Sequence, residues 1–82
     1  MSVFVQFMTL DSPYRKAAAD QKFDTLDQAR AAVEKYIEGS GYTDLKYIAD
    51  EYEDEGGRFT ARTPGGRAGR NVAYVDFGGS DE

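Results

Sequence analysis

Residues 25–41 carry the pattern that most restricts the fold, because they form a helix whose two ends are both marked in the sequence. Thr25 stands three residues before Gln28, which is the capping-box arrangement that satisfies the first free N–H groups of a helix. Apolar residues then recur at helical spacing, and charged residues take the opposite side. The apolar set is Leu26, Ala29, Val33, Tyr36 and Ile37. Gly39 and Gly41 follow and favour a left-handed C-cap, so we predict one amphipathic helix of about three turns.

Short segments rich in β-branched and aromatic residues flank this helix and predict strands, the first of them central in its sheet. These segments are residues 3–9, 58–63 and 71–77, and we predict a further short strand at 21–24 because this segment leads directly into the start of the helix. Residues 42–53 fit a helix or a strand, but a strand better explains the pair Gly56-Gly57, which we expect in a turn. The prediction is an α+β domain over residues 1–77, with the order β-β-α-β-β-β and one antiparallel sheet of about five strands that carries the helix on one face. We expect residues 78–82 to form a flexible acidic tail.

The length and the missing residue types argue against catalysis. A chain of 82 residues makes one modest core that buries roughly 60% of the surface exposed on unfolding. His and Cys are both absent, which excludes Ser-His-Asp and Cys-His nucleophiles, zinc sites and disulfides. Catalysis by the remaining carboxylates needs a concave, water-shielded site, which a small two-layer fold seldom makes. We therefore predict a protein that is not an enzyme and that uses no cofactor and no metal.

The charge balance and the absence of long apolar runs predict the surroundings of the protein. The sequence has 15 acidic and 10 basic residues, and a net charge of −5 repels nucleic acid and favours a basic partner. The N-terminus lacks a signal-peptide pattern, and no apolar run approaches the roughly 18 residues of a membrane span. We expect a cytoplasmic protein without membrane contact, present as a monomer or a small homo-oligomer.

A reversal of charge along the chain supplies the candidate binding residues. The acidic patch, as we name it, consists of Asp50, Glu51, Tyr52, Glu53, Asp54 and Glu55. After two glycines comes the arginine set, which consists of Arg58, Arg62, Arg67 and Arg70. If the chain reverses at Gly56-Gly57, the two groups lie side by side on one surface, and opposite charges in that position indicate binding to a partner.

Three interpretations of the acidic patch remain open. It can be a solvated hairpin end whose charges prevent an edge strand from pairing with a neighbour. A calcium loop would need a glycine at its sixth position and a glutamate at its twelfth, whereas Gly56 comes one place late and Ala61 stands at the end. The third interpretation is a mimic of the phosphate backbone, in which carboxylates around Tyr52 face a basic groove on a nucleic-acid-binding protein.

The glycine-rich loop at residues 63–71 raises the question of phosphate binding. Exposed backbone N–H groups and guanidinium forks both suit phosphate oxygens. A P-loop requires Gly-Lys followed by Ser or Thr, and this loop has no lysine. The run Gly66-Arg67-Ala68-Gly69 matches the GXXG of KH domains, but here it joins two strands. A solvated hairpin loop, a contact with a nucleic-acid backbone and a salt-bridged protein interface remain as alternatives.

The aromatic residues divide into a predicted core and a predicted surface group. We expect in the core Phe4, Phe7, Tyr36, Phe59 and Phe77. Candidates for partly exposed anchors in an interface are Tyr47, Tyr52 and Tyr74.

The order of the predicted elements resembles a known family. A strand at 3–7, a short strand at 21–24, a helix that opens at Thr25 and a last strand at 71–77 give a layout similar to that of small phage-encoded anti-CRISPR proteins, particularly those acting on type I-F surveillance complexes. The resemblance covers size and element order and includes no diagnostic motif. It implies a catalytically inert protein that binds a Cas subunit or guide complex and prevents the capture of target DNA.

These observations predict a non-enzymatic inhibitor or adaptor, encoded by a phage or mobile element, that docks on a nucleic-acid-handling host complex. The acidic patch would meet basic residues of the partner, and the arginine set would add hydrogen bonds. One alternative is a small nucleic-acid-binding module that uses the arginine set. Another is a structural or assembly component.

Overall fold

A computed structural model of the protein describes residues 2–11, 13–17, 19–52 and 55–78. The elements in chain order are β1 (Ser2–Phe7), β2 (Gln21–Phe23), α1 (Leu26–Ile37), β3 (Thr43–Ala49), β4 (Gly56–Arg62) and β5 (Arg70–Gly78). This order confirms the predicted β-β-α-β-β-β arrangement, in which a helix packs on an antiparallel sheet. The segment that fitted either a helix or a strand contains β3, so the strand interpretation is confirmed.

The described strands form one five-stranded sheet in the order β2-β1-β5-β4-β3, and each neighbouring pair is antiparallel. β1 pairs with β2 on one side and with β5 on the other, so it is not an edge strand, but the prediction that it is the central strand is wrong. β5 is the central strand. β3, β4 and β5 follow one another as a meander, so two of the connections that shape the surface are the hairpin between β3 and β4 and the loop between β4 and β5.

The start of α1 uses the capping box that the sequence predicts. The Gln28 N–H donates to the Thr25 hydroxyl oxygen at 3.1 Å. In return the Gln28 side-chain oxygen accepts from the N–H of Asp24 at 3.0 Å, one residue before the cap. Asp27 lies in the first turn and Lys35 in the last. Each charge is opposite in sign to the nearby end of the helix dipole and interacts favourably with it. The helix ends as predicted, since Glu38 is the C-cap and Gly39 follows with φ of 76°.

The core lies between α1 and one face of the sheet. It contains Val3, Val5, Phe7, Ala29, Val33, Ile37, Phe59, Ala61, Val72, Ala73 and Val75. The Phe7 and Tyr36 rings meet at 4.9 Å, and the Tyr36 hydroxyl donates to the Met8 carbonyl at 2.9 Å. The prediction of a core position is wrong for Phe4, because this residue alternates with Val3 and Val5 and so points to the opposite face of the sheet.

The chain reverses before Gly56 and Gly57, and the prediction that these glycines form the turn is wrong. The reversal is closed by a bond from the Asp50 N–H to the Gly56 carbonyl at 3.0 Å, and both glycines lie buried inside β4. A Cβ on Gly57 would lie 2.7 Å from the Tyr47 hydroxyl oxygen and would collide with the Ile48 carbonyl. The glycine at position 57 therefore serves the close approach of β3 to β4.

The end of β5 lies one residue beyond the predicted domain boundary, since Gly78 pairs with Ser2. The predicted tail at 79–82 lies outside the described residues. Within the described ranges, no helix has both the length and the hydropathy needed to cross a membrane.

Candidate functional site

One face of the sheet lies opposite α1 and presents a mixed aromatic, aliphatic and charged surface. The strand registers place four side chains in one row across four strands, since Tyr74 stands between Gln6 and Arg58, and Arg58 stands opposite Ile48. Directly opposite residues in a sheet have Cβ atoms about 5 Å apart, so neighbours in this row are in contact range. We name this surface the open face and define it by Phe4, Gln6, Ile48, Arg58, Tyr74 and Asp76.

The large side chains of the open face are accessible to solvent, and one of them also packs on a neighbouring strand. Tyr74 and Ile48 are 37% and 40% exposed. The Phe4 ring is half-buried because it lies across Gly78, where a Cβ would come 2.8 Å from the ring carbon Cδ2 and closer still to its neighbour. Aromatic packing over a glycine of an adjacent strand is a known way to stabilise such a position.

A closed hydrogen-bond network fixes two tyrosines at the edge of the open face. The Tyr14 hydroxyl donates to the Asn71 carbonyl at 3.0 Å, and the Asn71 amide donates to the Tyr74 hydroxyl oxygen at 3.2 Å. The two hydroxyl oxygens are 3.3 Å apart, so the Tyr74 hydroxyl can donate to Tyr14 and complete the ring. Side chains that are already immobilised lose less conformational entropy when a partner binds.

This network also affects the ionisation of Tyr14. Burial raises the pKa of Tyr14 to about 12, and the hydrogen bond with Tyr74 acts in the same direction. The Arg70 guanidinium, 5.0 Å from the centre of the Tyr14 ring, opposes this rise. Burial likewise raises the pKa of Tyr36. Both phenols therefore remain protonated donors throughout the neutral range.

The described residues of the acidic patch lie at the hairpin between β3 and β4, next to one end of the open face. Asp50, Glu51, Tyr52 and Glu55 are exposed, and Tyr52 is 62% exposed. An Asp50 carboxylate oxygen lies 4.0 Å from an Arg58 guanidinium nitrogen. Both side chains are more than one-third exposed, so this ion pair contributes little stability and is available to a partner. Glu53 and Asp54, which the sequence also assigned to the acidic patch, lie outside the described residues.

The arginine set is divided between the two ends of β4. β4 has seven residues, which span about 20 Å. Arg58 lies near the acidic patch, whereas Arg62 ends β4 beside the loop that carries Arg67 and leads to Arg70 at the start of β5. The side-by-side arrangement of opposite charges is therefore observed for Arg58, and the loop arginines lie at the far end of the strand.

Three members of the arginine set have partners within the protein. In addition to the Arg58 ion pair, Arg62 lies 3.9 Å from an Asp44 oxygen and donates to the Gly66 carbonyl at 2.9 Å. The Arg70 guanidinium donates to the Thr9 carbonyl at 2.9 Å. Among the described residues, the Arg67 side chain has no ion pair and no hydrogen bond, and it is exposed.

The three tyrosines predicted as partly exposed anchors differ in their exposure. Tyr52 and Tyr74 are exposed as expected, whereas Tyr47 is half-buried and packs on Phe59 with ring centroids 5.1 Å apart. The sequence reasoning missed Tyr14, which enters the site through contacts 57 and 60 residues away along the chain. No local pattern could have revealed contacts of that separation.

No family model, no curated protein and no solved structure matches the chain. In the part of the chain that the structure describes, no three His, Cys, Asp or Glu side chains are grouped so that they could hold a metal ion.

Proposed function

We propose that this protein is a non-enzymatic binding domain that docks a protein partner on its open face. The observation that carries the proposal is the row in which Tyr74, Arg58 and Ile48 stand on three adjacent strands of the sheet. Tyrosine and arginine are enriched among the residues that dominate binding energy in protein interfaces. The hydrogen bonds of Tyr74 hold its ring in place before any partner arrives.

The charges around this row favour a basic partner. The exposed carboxylates of Asp50, Glu51 and Glu55 lie at the hairpin end, and Asp76 lies on the open face itself. The net charge of −5 extends the same sign over the whole molecule. Opposite charge on a partner would speed association and select the correct orientation. Basic surfaces of this kind occur on proteins that handle nucleic acid.

A comparison of variants on the two faces of the domain tests the proposal. The tagged protein is used to capture partners from a host lysate, and the binding kinetics of each captured protein are then measured with purified variants. We expect Tyr74→Ala combined with Arg58→Ala to weaken binding by about thirtyfold, which corresponds to a hot-spot loss of roughly 2 kcal/mol. Glu34→Ala combined with Lys35→Ala is the matched control, because both side chains are exposed on the outer surface of α1.

Comparison with the control variant shows which surface binds the captured protein. Equal affinity of both double variants for the captured protein would exclude the open face as its docking surface, and a loss confined to the α1 variant would move the interface to the helix. Far-ultraviolet circular dichroism of each variant shows whether the sheet is intact.

Direct nucleic-acid binding is less well supported by the geometry. Arg58 and Arg62 each lie beside a carboxylate of the protein, and a phosphate backbone would have to replace these ion pairs. A gel-shift series at low salt tests this alternative, because backbone binding strengthens steeply as salt falls. The more specific role of a phage-encoded inhibitor that blocks nucleic-acid capture, like residence in the cytoplasm, stays a prediction.

A further inference from the structure

A concave site lies at the other end of β4 from the acidic patch. The loop between β4 and β5 and the segment around Tyr14 line an open cleft of about 500 Å³. Its walls include Tyr14, Tyr42, Thr63, Arg67, Gly69 and Arg70. This volume lies within the range of sites that bind small molecules.

Two arginines of this cleft lack a counterion among the residues that the structure describes. No carboxylate oxygen of the described residues lies within 4.0 Å of the Arg67 or Arg70 guanidinium, although the protein carries more acids than bases. Arg70 is half-buried against the Tyr14 ring, and its Nε is buried without an acceptor in the described structure. A cation that is partly removed from water and has no opposite charge beside it favours the binding of an anion.

Ala68 and Gly69 of the loop also line this cleft. The N–H groups of Ala68 and Gly69 make no backbone hydrogen bond in the described structure, whereas the Arg67 N–H is bound to the Thr63 hydroxyl oxygen at 3.0 Å. Since that oxygen accepts a bond, the Thr63 hydroxyl retains its own proton for donation. Consecutive free N–H groups next to guanidinium forks form a typical site for a phosphate group.

We propose that this cleft binds the phosphoryl group of a small phosphoester about the size of a mononucleotide. Arg67, Arg70 and the N–H groups of Ala68 and Gly69 would contact the phosphate oxygens. Tyr14 and Tyr42 form the neighbouring wall, and both hydroxyls are held by backbone carbonyls, with Tyr42 donating to Leu10 at 2.6 Å. The two rings therefore offer a fixed apolar surface to the organic part of the ligand.

Titration of the ¹⁵N-labelled protein with three probes tests this site. The probes are inorganic phosphate, adenosine monophosphate and adenosine, each added in a buffer free of phosphate and sulfate. We expect saturable changes in the amide resonances of Ala68 and Gly69 with both phosphate-containing probes, and tighter binding of the nucleotide than of phosphate. Adenosine should leave these resonances unchanged. Equal affinity for phosphate and nucleotide would overturn the part assigned to the tyrosine wall, and binding of adenosine without phosphate would overturn the phosphoryl site.

Substitutions of single basic residues distinguish specific binding in the cleft from a general effect of net charge on affinity. Arg67→Gln should weaken nucleotide binding by about tenfold or more, equal to roughly 1.4 kcal/mol. Lys35→Gln removes the same charge from the exposed surface of α1 and should change the affinity by less than about twofold. Arg70→Lys keeps the charge but removes the planar fork, so it should also weaken binding while the amide spectrum shows an intact fold. Absence of saturable binding, or equal losses in Arg67→Gln and Lys35→Gln, would overturn the proposal.

Discussion

Replacing Gly57 with alanine should destabilise the hairpin that carries Ile48 and Arg58. The new Cβ would lie 2.7 Å from the Tyr47 hydroxyl oxygen and would meet the Ile48 carbonyl. Because ordinary contacts of a Cβ begin near 3.4 Å, β3 and the Tyr47 ring must move by about 0.7 Å or more. The φ angle of Gly57 is not in the left-handed region, so the substitution changes the contact without imposing backbone strain.

The size of the effect follows from two opposing contributions. Overpacking of a close contact costs about 1–3 kcal/mol, while alanine gains about 0.4–1 kcal/mol by restricting the unfolded chain. The net loss is about 1–2 kcal/mol. For a domain of this size, 1 kcal/mol corresponds to about 4–8 °C, so we expect Tm to fall by roughly 5–15 °C.

Thermal unfolding of Gly57→Ala and Gly65→Ala, followed by circular dichroism, measures the difference. Gly65 is the matched control, because its Cβ would meet only the Thr63 hydroxyl oxygen, at an ordinary 3.8 Å. Its Tm should stay constant or rise slightly. The same Tm for both variants would show that the approach of β3 to β4 at Gly57 is not tight, and the reasoning about the hairpin would fail.

Three further outcomes are expected. Thr25→Ala should lower stability by about 1 kcal/mol in denaturant unfolding because the Gln28 N–H loses its acceptor, and Thr25→Asp should retain most of it. Glu51→Gln with Glu55→Gln should slow association with a captured basic partner and reduce its salt dependence, and unchanged on-rates would remove these carboxylates from the interface. Because burial raises the pKa of Tyr14 from near 10 to about 12, its contribution to stability is full below pH 10 and is lost as pH rises toward 12. Unfolding experiments at several pH values should show a smaller loss over that interval for Tyr14→Phe, and an equal loss would contradict the assignment.

Local patterns were sufficient to predict most of the secondary structure. The helix could be located because Thr25 and Gln28 mark its start and the glycines after Glu38 mark its end. The choice of a strand for β3 depended on the glycine pair that follows it, although those glycines serve close packing and not the turn itself. The correct conclusion therefore came from a feature whose physical role was misassigned.

The positions of several site residues depend on contacts between residues far apart in the sequence, which local sequence patterns do not reveal. The alternation of Phe4 with Val3 and Val5 was visible in the sequence and would have placed Phe4 on the open face. The partner of Arg70 could not be predicted, since it donates to a carbonyl 61 residues earlier in the chain. Tyr14 lay in a segment without a clear pattern, and it is held in place by a hydrogen bond to Asn71 of β5, 57 residues later in the chain.

The contact between Tyr14 and Tyr74 has a consequence for regulation. Tyr74 stands on the open face, Tyr14 lines the cleft that we propose for a phosphoester, and their hydroxyl oxygens are 3.3 Å apart. A ligand that moves either ring would therefore change the affinity of the other surface for its own ligand, and by the same factor in both directions. A protein of 82 residues would in this way couple the binding of a macromolecule to that of a metabolite-sized molecule.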